Sequence, residues 1–314
     1  MTEISKQRLH YWGSILAGSI GSFLCGLLGF QIGEYGLFLF LFVPILIGYL
    51  PGALYSRVQR SQPISFYEMG FVSYLLVLLV VLITAIEGLI CIVMMLPITL
   101  PLVGFGAYIA KSLHGTNQAT QVKANLSLFL LAGMLSMADV SADDPQLRQI
   151  QSEIVIDAPI ETVWEQVIAF PTIPEPSFGL FTTGIAYPTH ATINGTGVGA
   201  IRRCSFSTGD FVEPITKWEA PYRLEFNVIE QPMPMTEQNP FWDVHPPHLE
   251  TGFQSKKGGF LLEKLPDGRT KVTGTTYYEL GLSPELYWAT WSDNIVHRIH
   301  MRVLEHIALV SEGV

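Results

Sequence analysis

The sequence predicts an α-helical multi-spanning membrane domain followed by an α+β domain in which a curved antiparallel sheet wraps a long C-terminal helix. Three observations carry this expectation. Only 14% of the 314 residues are charged, where soluble domains carry about 25%, and the deficit sits in one half. Residues 1–138 hold 6 basic and 4 acidic side chains, a net of +2, while 139–314 carry a net of −11. The second half alternates apolar and polar positions between about 185 and 280 and closes on a long amphipathic pattern. An acidic soluble half excludes a general nucleic-acid groove, because it would repel phosphates. A disulfide scaffold is excluded too: of the three cysteines, Cys25 and Cys91 lie in apolar runs and only Cys204 lies in the second half.

A helix needs about 20 apolar residues to cross the ~30 Å hydrocarbon core. Uncharged runs of 25, 22, 18 and 23 residues occupy 9–33, 35–56, 69–86 and 88–110. The first is too long for a removable signal, and Ser22-Phe23-Leu24 before Cys25 lacks the small residue of a lipoprotein cleavage site, so it reads as an uncleaved anchor. A fifth run, 124–138, has 15 residues, short unless Lys123 snorkels and the uncharged stretch before it adds turns. Spans are therefore expected at 11–33, 36–56, 69–86, 88–110 and 119–138, with a linker at 141–149 and the second domain from 150 to 314. With the N-terminus inside, Lys6, Arg8, Arg57, Arg60, Lys111 and Lys123 all fall on the cytoplasmic side. Glu34, Glu87, Asp139, Asp143 and Asp144 fall outside, as the positive-inside rule asks. The expected location is the plasma (inner) membrane of a bacterium, with the second domain extracytoplasmic. Small residues four apart (Gly18, Ser22 and Gly26; Gly29 and Gly33) suit close helix packing, and Pro97 and Pro101 remove two amide donors from one helix. Glu87 reads either as a turn carboxylate between two hairpin helices or as a proton or ion relay.

In the second half, the stretch from Ile150 to Asp157 reads as a strand. Asp157 can cap the helix that follows, Pro159 suits its first turn, and Ile160, Val163, Trp164, Val167 and Ile168 form one apolar face. Leu224, Phe226 and Val228 alternate with Arg223, Glu225 and Asn227, and Pro266-Asp267-Gly268 makes a hairpin turn. Gly195, Gly197 and Gly199 precede a strand and no helix, so they form a hairpin rather than a phosphate-binding loop. Ser283 and Pro284 start the last helix, whose wheel gathers Trp288, Trp291, Ile295, Ile299, Val303 and Ile307 on one side. A sheet curved around such a helix commonly leaves an apolar cavity.

Two stretches carry a resemblance: Ile154-Val-Ile-Asp-Ala-Pro-Ile-Glu-Thr-Val-Trp-Glu-Gln-Val and Glu213-Pro-Ile-Thr-Lys-Trp-Glu-Ala-Pro-Tyr-Arg-Leu-Glu-Phe. With the closing helix, they resemble the START-like (SRPBCC) superfamily of polyketide cyclases, lipid-transfer proteins and pathogenesis-related proteins, over about residues 150–312. The resemblance implies the helix-grip fold and an internal apolar pocket. It implies no one activity, because the group shares no catalytic motif. The multi-spanning first half departs from most members. It resembles a subset of bacterial membrane proteins with a START-like tail, which carry segments like Glu87-Gly-Leu-Ile-Cys and His297-Arg-Ile-His-Met-Arg-Val-Leu.

The loop 231–259 concentrates five prolines with Phe241, Trp242, His245 and His248. It reads as a lid or membrane-facing tip, or equally as an irregular insertion packed on the sheet. Asp293, His297 and His300 fall on one helix stripe. With His245 and His248 they could make a metal or acid–base site, against the plainer reading of a solvated flank. Arg302 and His306 project toward Trp288 and Ile295, so Arg302 is expected at the pocket wall, paired with Glu213 or Glu225 or meeting a ligand's polar head. The expected function is a membrane-anchored module that binds or transfers a lipid or other hydrophobic small molecule. Its ligand-binding residues would be Trp242, His245, His248, Trp288, Trp291, Ile295, Ile299, Arg302 and His306, with membrane lipids as partners and no cofactor. The alternatives are a cyclase- or hydrolase-type enzyme using the histidines, and an assembly protein with a side-chain-filled interior.

Overall fold

Five helices fill the first half of the chain: α1 (Glu3–Gly33), α2 (Val43–Val58, entered through a π-helical turn at Phe38–Phe42), α3 (Phe66–Ile83), α4 (Leu89–Leu113) and α5 (Gln118–Val140). All five are long and apolar enough to cross a membrane. The fifth is not short. The side chain of Asn117 accepts from the Thr120 N–H at 2.8 Å and starts the helix ahead of the apolar run. Its 23 residues therefore extend about 34 Å. The computed structural model describes residues 3–33, 35–58, 65–141 and 145–313, without the side chains of residues 3, 4, 32, 33, 57 and 58. Glu34, Arg60, Asp143 and Asp144, and the side chain of Arg57, which enter the charge argument, lie outside the described residues.

Hydrogen bonds show that successive helices alternate in direction. At one end, Tyr11 Oη donates to Glu68 at 3.1 Å and His114 Nδ1 meets Ser56 Oγ at 3.1 Å. At the other, Asp139 accepts from the amides of Leu37 (2.6 Å) and Phe38 (2.9 Å), and Tyr35 Oη donates to Glu87 at 2.6 Å. Glu87 sits in the turn between α3 and α4, the position expected of a turn carboxylate. Burial pushes its carboxyl up to about 8; the Tyr35 hydrogen bond opposes that shift and the nearby Glu237 adds to it. The glycine spacing on α1 has a packing reason, since a Cβ on Gly18 would lie 2.7 Å from Pro51 and one on Gly29 2.3 Å from Phe38; other glycines do the same between α2 and α4. A Cβ on Gly48 would lie 1.9 Å from the Val103 carbonyl oxygen and one on Gly106 2.0 Å from that of Ile45, so α2 and α4 approach through their backbones.

The chain forms two compact units. The first joins Met1–Asp144 to Glu237–Val244, and the second joins Pro145–Thr236 to His245–Val314. Part of the loop 231–259 thus belongs with the helices, for a local reason. Glu237 accepts from the amides of Ile90 (3.0 Å) and Cys91 (2.9 Å), putting a carboxylate on the positive N-terminus of α4. Trp242 Nε1 donates to the Ile83 carbonyl at 2.8 Å.

The second unit is one antiparallel seven-stranded sheet with the order β1-β7-β6-β5-β4-β3-β2. The strands are β1 (Arg148–Ile156), β2 (Pro188–Asn194), β3 (Ile201–Phe206), β4 (Gly209–Glu219), β5 (Arg223–Asn227), β6 (Phe253–Lys264) and β7 (Thr270–Leu280). Helix α6 (Ile160–Ile168) follows β1, α7 (His248–Thr251) precedes β6, and α8 (Glu285–Glu312) closes the chain. β1 begins at Arg148, inside the expected linker. Register shifts at Pro188/His190, Ile215/Lys217 and Ser255/Lys257 bend the sheet. The face of α6 buries Ile160, Val163, Trp164 and Val167, and these join Leu224, Leu262, Val272, Leu304 and Ile307 in one core. Both expected side-chain caps fail. Pro159 and Pro284 occupy the cap positions of α6 and α8 without a side-chain hydrogen bond, because the prolines place the helix starts beyond Asp157 and Ser283.

Candidate functional site: a cavity between sheet and helix

β3 and β4 form a hairpin that pairs Arg202 with Glu213 across the strands. Side chains alternate along a strand, so Arg202, Cys204 and Phe206 share a face, as do Phe211 and Glu213. Those faces turn toward α8 and line a cavity of about 110 Å³, closed from the helix side by Val296, Ile299, His300, Val303 and Leu304. Gly258, Gly259 and Gly274 line it from β6 and β7, where missing side chains leave the room.

The wall carries one ion pair. Arg202 is 2% exposed and Glu213 6%. The Nη1 of Arg202 donates to Glu213 Oε2, and its Nε donates to the Ile168 carbonyl at 3.0 Å. The guanidinium lies 5.5 Å from the ring centre of Phe226, 5.7 Å from that of Phe260 and 5.8 Å from that of Phe170. Burial pushes the Glu213 carboxyl above its ordinary range, against the pull of the guanidinium.

A second polar feature leads away from the cavity. Thr276 and His300 both line it, with Oγ1 and Nε2 2.7 Å apart. His300 Nδ1 is 3.1 Å from Ser152 Oγ, which is 2.7 Å from the Nδ1 of exposed His297. Burial, and then the neighbouring His297, hold the His300 pKa down to about 4, so its imidazole is neutral at neutral pH.

The expected site residues scatter. Ile299 lines the cavity and so does His300, but Trp288, Trp291, Ile295, Arg302 and His306 do not. The buried stripe of α8 keeps Trp288, Val303 and Ile307 of the expected wheel and widens to Ala289, Val296, Leu304 and His306. Trp288 is buried with its ring edge-on to Tyr287, and Trp291 and Ile295 are half-buried. Arg302 pairs with neither Glu213 nor Glu225. Its Nη2 and Nε donate to the carbonyls of Pro174 (2.6 Å) and Pro188 (3.2 Å), and it stacks 5.0 Å from the Tyr187 ring centre. His306 Nε2 lies 3.1 Å from the Pro171 carbonyl. Both residues tie α8 to the irregular segment before β2. Glu225 pairs with Arg223 instead.

Within the second unit, residues 231–236 and 245–252 supply none of the lining. Trp242 is engaged at Ile83, His245 is exposed, and burial on α7 holds His248 at a pKa of about 4. Among the described residues, His245, His248, Asp293, His297 and His300 form no three-ligand cluster with one another. Asp293 accepts from Arg148 (3.1 Å) and Tyr278, and both helix imidazoles face Ser152. Arg202 was overlooked, and Glu213 was expected only as a partner of Arg302. Their signal was available: a hairpin closing at Ser207-Thr208 sets them opposite one another, both in step with apolar neighbours.

No protein-family model matches the chain, and no curated protein matches it. Among solved structures, truncated norcoclaurine synthase from Thalictrum flavum is 14% identical, with 54% of this chain and 96% of that chain covered and a TM-score of 0.34. The Zhui aromatase/cyclase from Streptomyces sp. R1128 is 12% identical, covering 53% and 94%, with a TM-score of 0.35. Major latex-like protein 151 from Panax ginseng is 12% identical, covering 52% and 97%, with a TM-score of 0.33. The curled seven-stranded sheet and the long terminal helix α8 give the second unit of this chain a helix-grip architecture.

Proposed function

We propose that the protein is a membrane-held binding module whose helix-grip cavity takes up a small, largely apolar molecule or the end of a longer lipid. The observation that carries this reading is the buried Arg202–Glu213 pair on an otherwise aromatic and aliphatic wall. Desolvating two charges costs several kcal/mol each, and apolar residues of like volume would stabilise the fold as well or better. Such a pair beside a cavity has a use in recognition that it lacks in packing. An engineered cavity of about 150 Å³ admits benzene, so about 110 Å³ suits a ring-sized group. The test is to fill it. A Cβ on Gly274 would meet Phe260 and Leu304 at 3.7 and 3.8 Å, ordinary contact distances, so Gly274→Leu should keep the fold and occupy the space. Binding of small aromatic probes to the detergent-solubilised full chain, read by calorimetry, should vanish in that variant. Unchanged binding would place the ligand elsewhere.

The Thr276–His300–Ser152–His297 chain favours a second reading, acid–base chemistry on a bound molecule. Turnover of a bound compound that is lost in His300→Asn would select it.

We also propose that the five helices are membrane spans with the N-terminus cytoplasmic and the second unit extracytoplasmic. Lys6, Arg8, Lys111 and Lys123 lie toward the end of the bundle that holds Glu68 and His114, and Glu87, Glu237 and Asp139 at the other. A C-terminal alkaline phosphatase fusion should be active and a fluorescent-protein fusion dim; the reverse result would reverse the orientation.

A further inference from the structure

The donor and acceptor capacity of the ion pair is only half spent inside the protein. Arg202 uses Nη1 and Nε on Glu213 and Ile168, and Glu213 accepts through Oε2. Apart from a side-chain contact of Arg202 with the Cys204 thiol, Nη2 of Arg202 and Oε1 of Glu213 have no nitrogen or oxygen partner among the described residues. A charged donor residue and a charged acceptor residue thus share the cavity wall with Phe206, Phe211, Phe226 and Phe260. A bare carboxylate or phosphate entering there gains Arg202 but meets Glu213, and like charges in a low-dielectric site cost several kcal/mol. An ammonium meets the reverse conflict. A hydroxyl satisfies both at once, donating to the carboxylate and accepting from the guanidinium.

Resting on the reading of the cavity as a ligand site, we infer that its ligand is a neutral, ring-sized molecule bearing a hydroxyl, a phenol or cyclic alcohol, held by Arg202 and Glu213 together. A fatty-acid anion or a phosphate head is selected against by the same pair. The aromatic walls supply the apolar gain, and the pair supplies the choice of head group.

The test uses three probes of one shape on the full-length protein in detergent: p-cresol, toluene and p-toluate. Each is titrated calorimetrically, with the Gly274→Leu variant as the blank for partition into micelles. p-Cresol should bind at least about tenfold tighter than toluene, the worth of a hydrogen bond to a charged group, and p-toluate should bind weakest. Glu213→Gln keeps the shape and leaves Arg202 uncompensated. It should invert the order, with p-toluate gaining at least about tenfold while p-cresol loses. Toluene binding as tightly as p-cresol would overturn the head-group assignment and leave the cavity reading standing. p-Toluate binding tightest to the wild type would also overturn it, because the pair would then act as a net cation. No probe binding above the blank would overturn the cavity reading itself. The wild-type series decides these outcomes even if Glu213→Gln fails to fold.

Discussion

Helices α5 and α8 are of similar length, 23 and 28 residues, and turn opposite surfaces outward. No residue of α5 is fully buried, and Phe129, Met134 and Met137 stand 75%, 69% and 72% exposed. On α8 the buried stripe includes Leu304 at 0% exposure, while Arg298 and His297 face outward. The same apolar side chains serve two solvents. In the second unit they are withdrawn from water, worth about 25 cal/mol per Å² of area removed. On α5 they form the kind of surface that hydrocarbon tolerates and water does not. In a bilayer, as proposed above, interior polar pairing and backbone approach, such as Tyr74 with Thr99 (2.6 Å) and Ser19 with Ser73 (2.8 Å), would stabilise the helical unit more than apolar burial.

The comparison can be broken first at Leu304, which belongs to the core and to the cavity wall alike. Leu304→Ala should cost about 2–5 kcal/mol, measured as the unfolding free energy of the second unit in the detergent-solubilised chain. A cost under about 1 kcal/mol would mean that the helix is loosely seated. A pH titration sharpens the same contrast. The folded His300 pKa of about 4 lies below the ordinary imidazole value of 6.5, so its contribution is complete above about 6.5. It is lost as pH falls toward 4, amounting to about 3 kcal/mol for a shift of this size. His248 titrates in the same direction, so His300→Asn should remove part of the acid sensitivity and leave the rest. An unchanged pH profile would show that His300 is solvated. The smallest effect belongs to α5: Phe129→Ala should change stability by no more than about 0.5 kcal/mol, and a loss comparable to Leu304→Ala would reveal a hidden partner.

The two regions were unequally legible in the sequence. The five long apolar helices could be read because long uncharged runs, visible directly in the sequence, mark them. The face of α6 and the Pro266-Asp267-Gly268 turn could be read because they are local; Leu265 N–H donates to the Arg269 carbonyl at 2.8 Å across that turn. The site was harder. Arg302 looked inward on a wheel, but it stands one position before the inward Val303, and one position turns a side chain by about 100°. That turn carries Arg302 from the cavity to the Pro174 and Pro188 carbonyls. The loop from Glu237 to Trp242 was unreadable for another reason: its partners, Ile90, Cys91 and Ile83, lie about 150 residues away, and no periodicity encodes such a pairing.

Ser152 has a single hydroxyl hydrogen, yet both its neighbours approach through Nδ1. It can donate to one imidazole only and must accept from the other, so the two rings hold opposite Nδ1 tautomers when neutral. If Ser152 donates to His300, the His300 proton is on Nε2 and points to Thr276; if it donates to His297, Nε2 of His300 is bare and Thr276 becomes the donor. Reversing one bond reverses the whole chain. The hydroxyl of Thr276 can then offer the cavity its lone pairs and proton in two arrangements of the same heavy atoms, chosen by the ring of His297 at the protein surface.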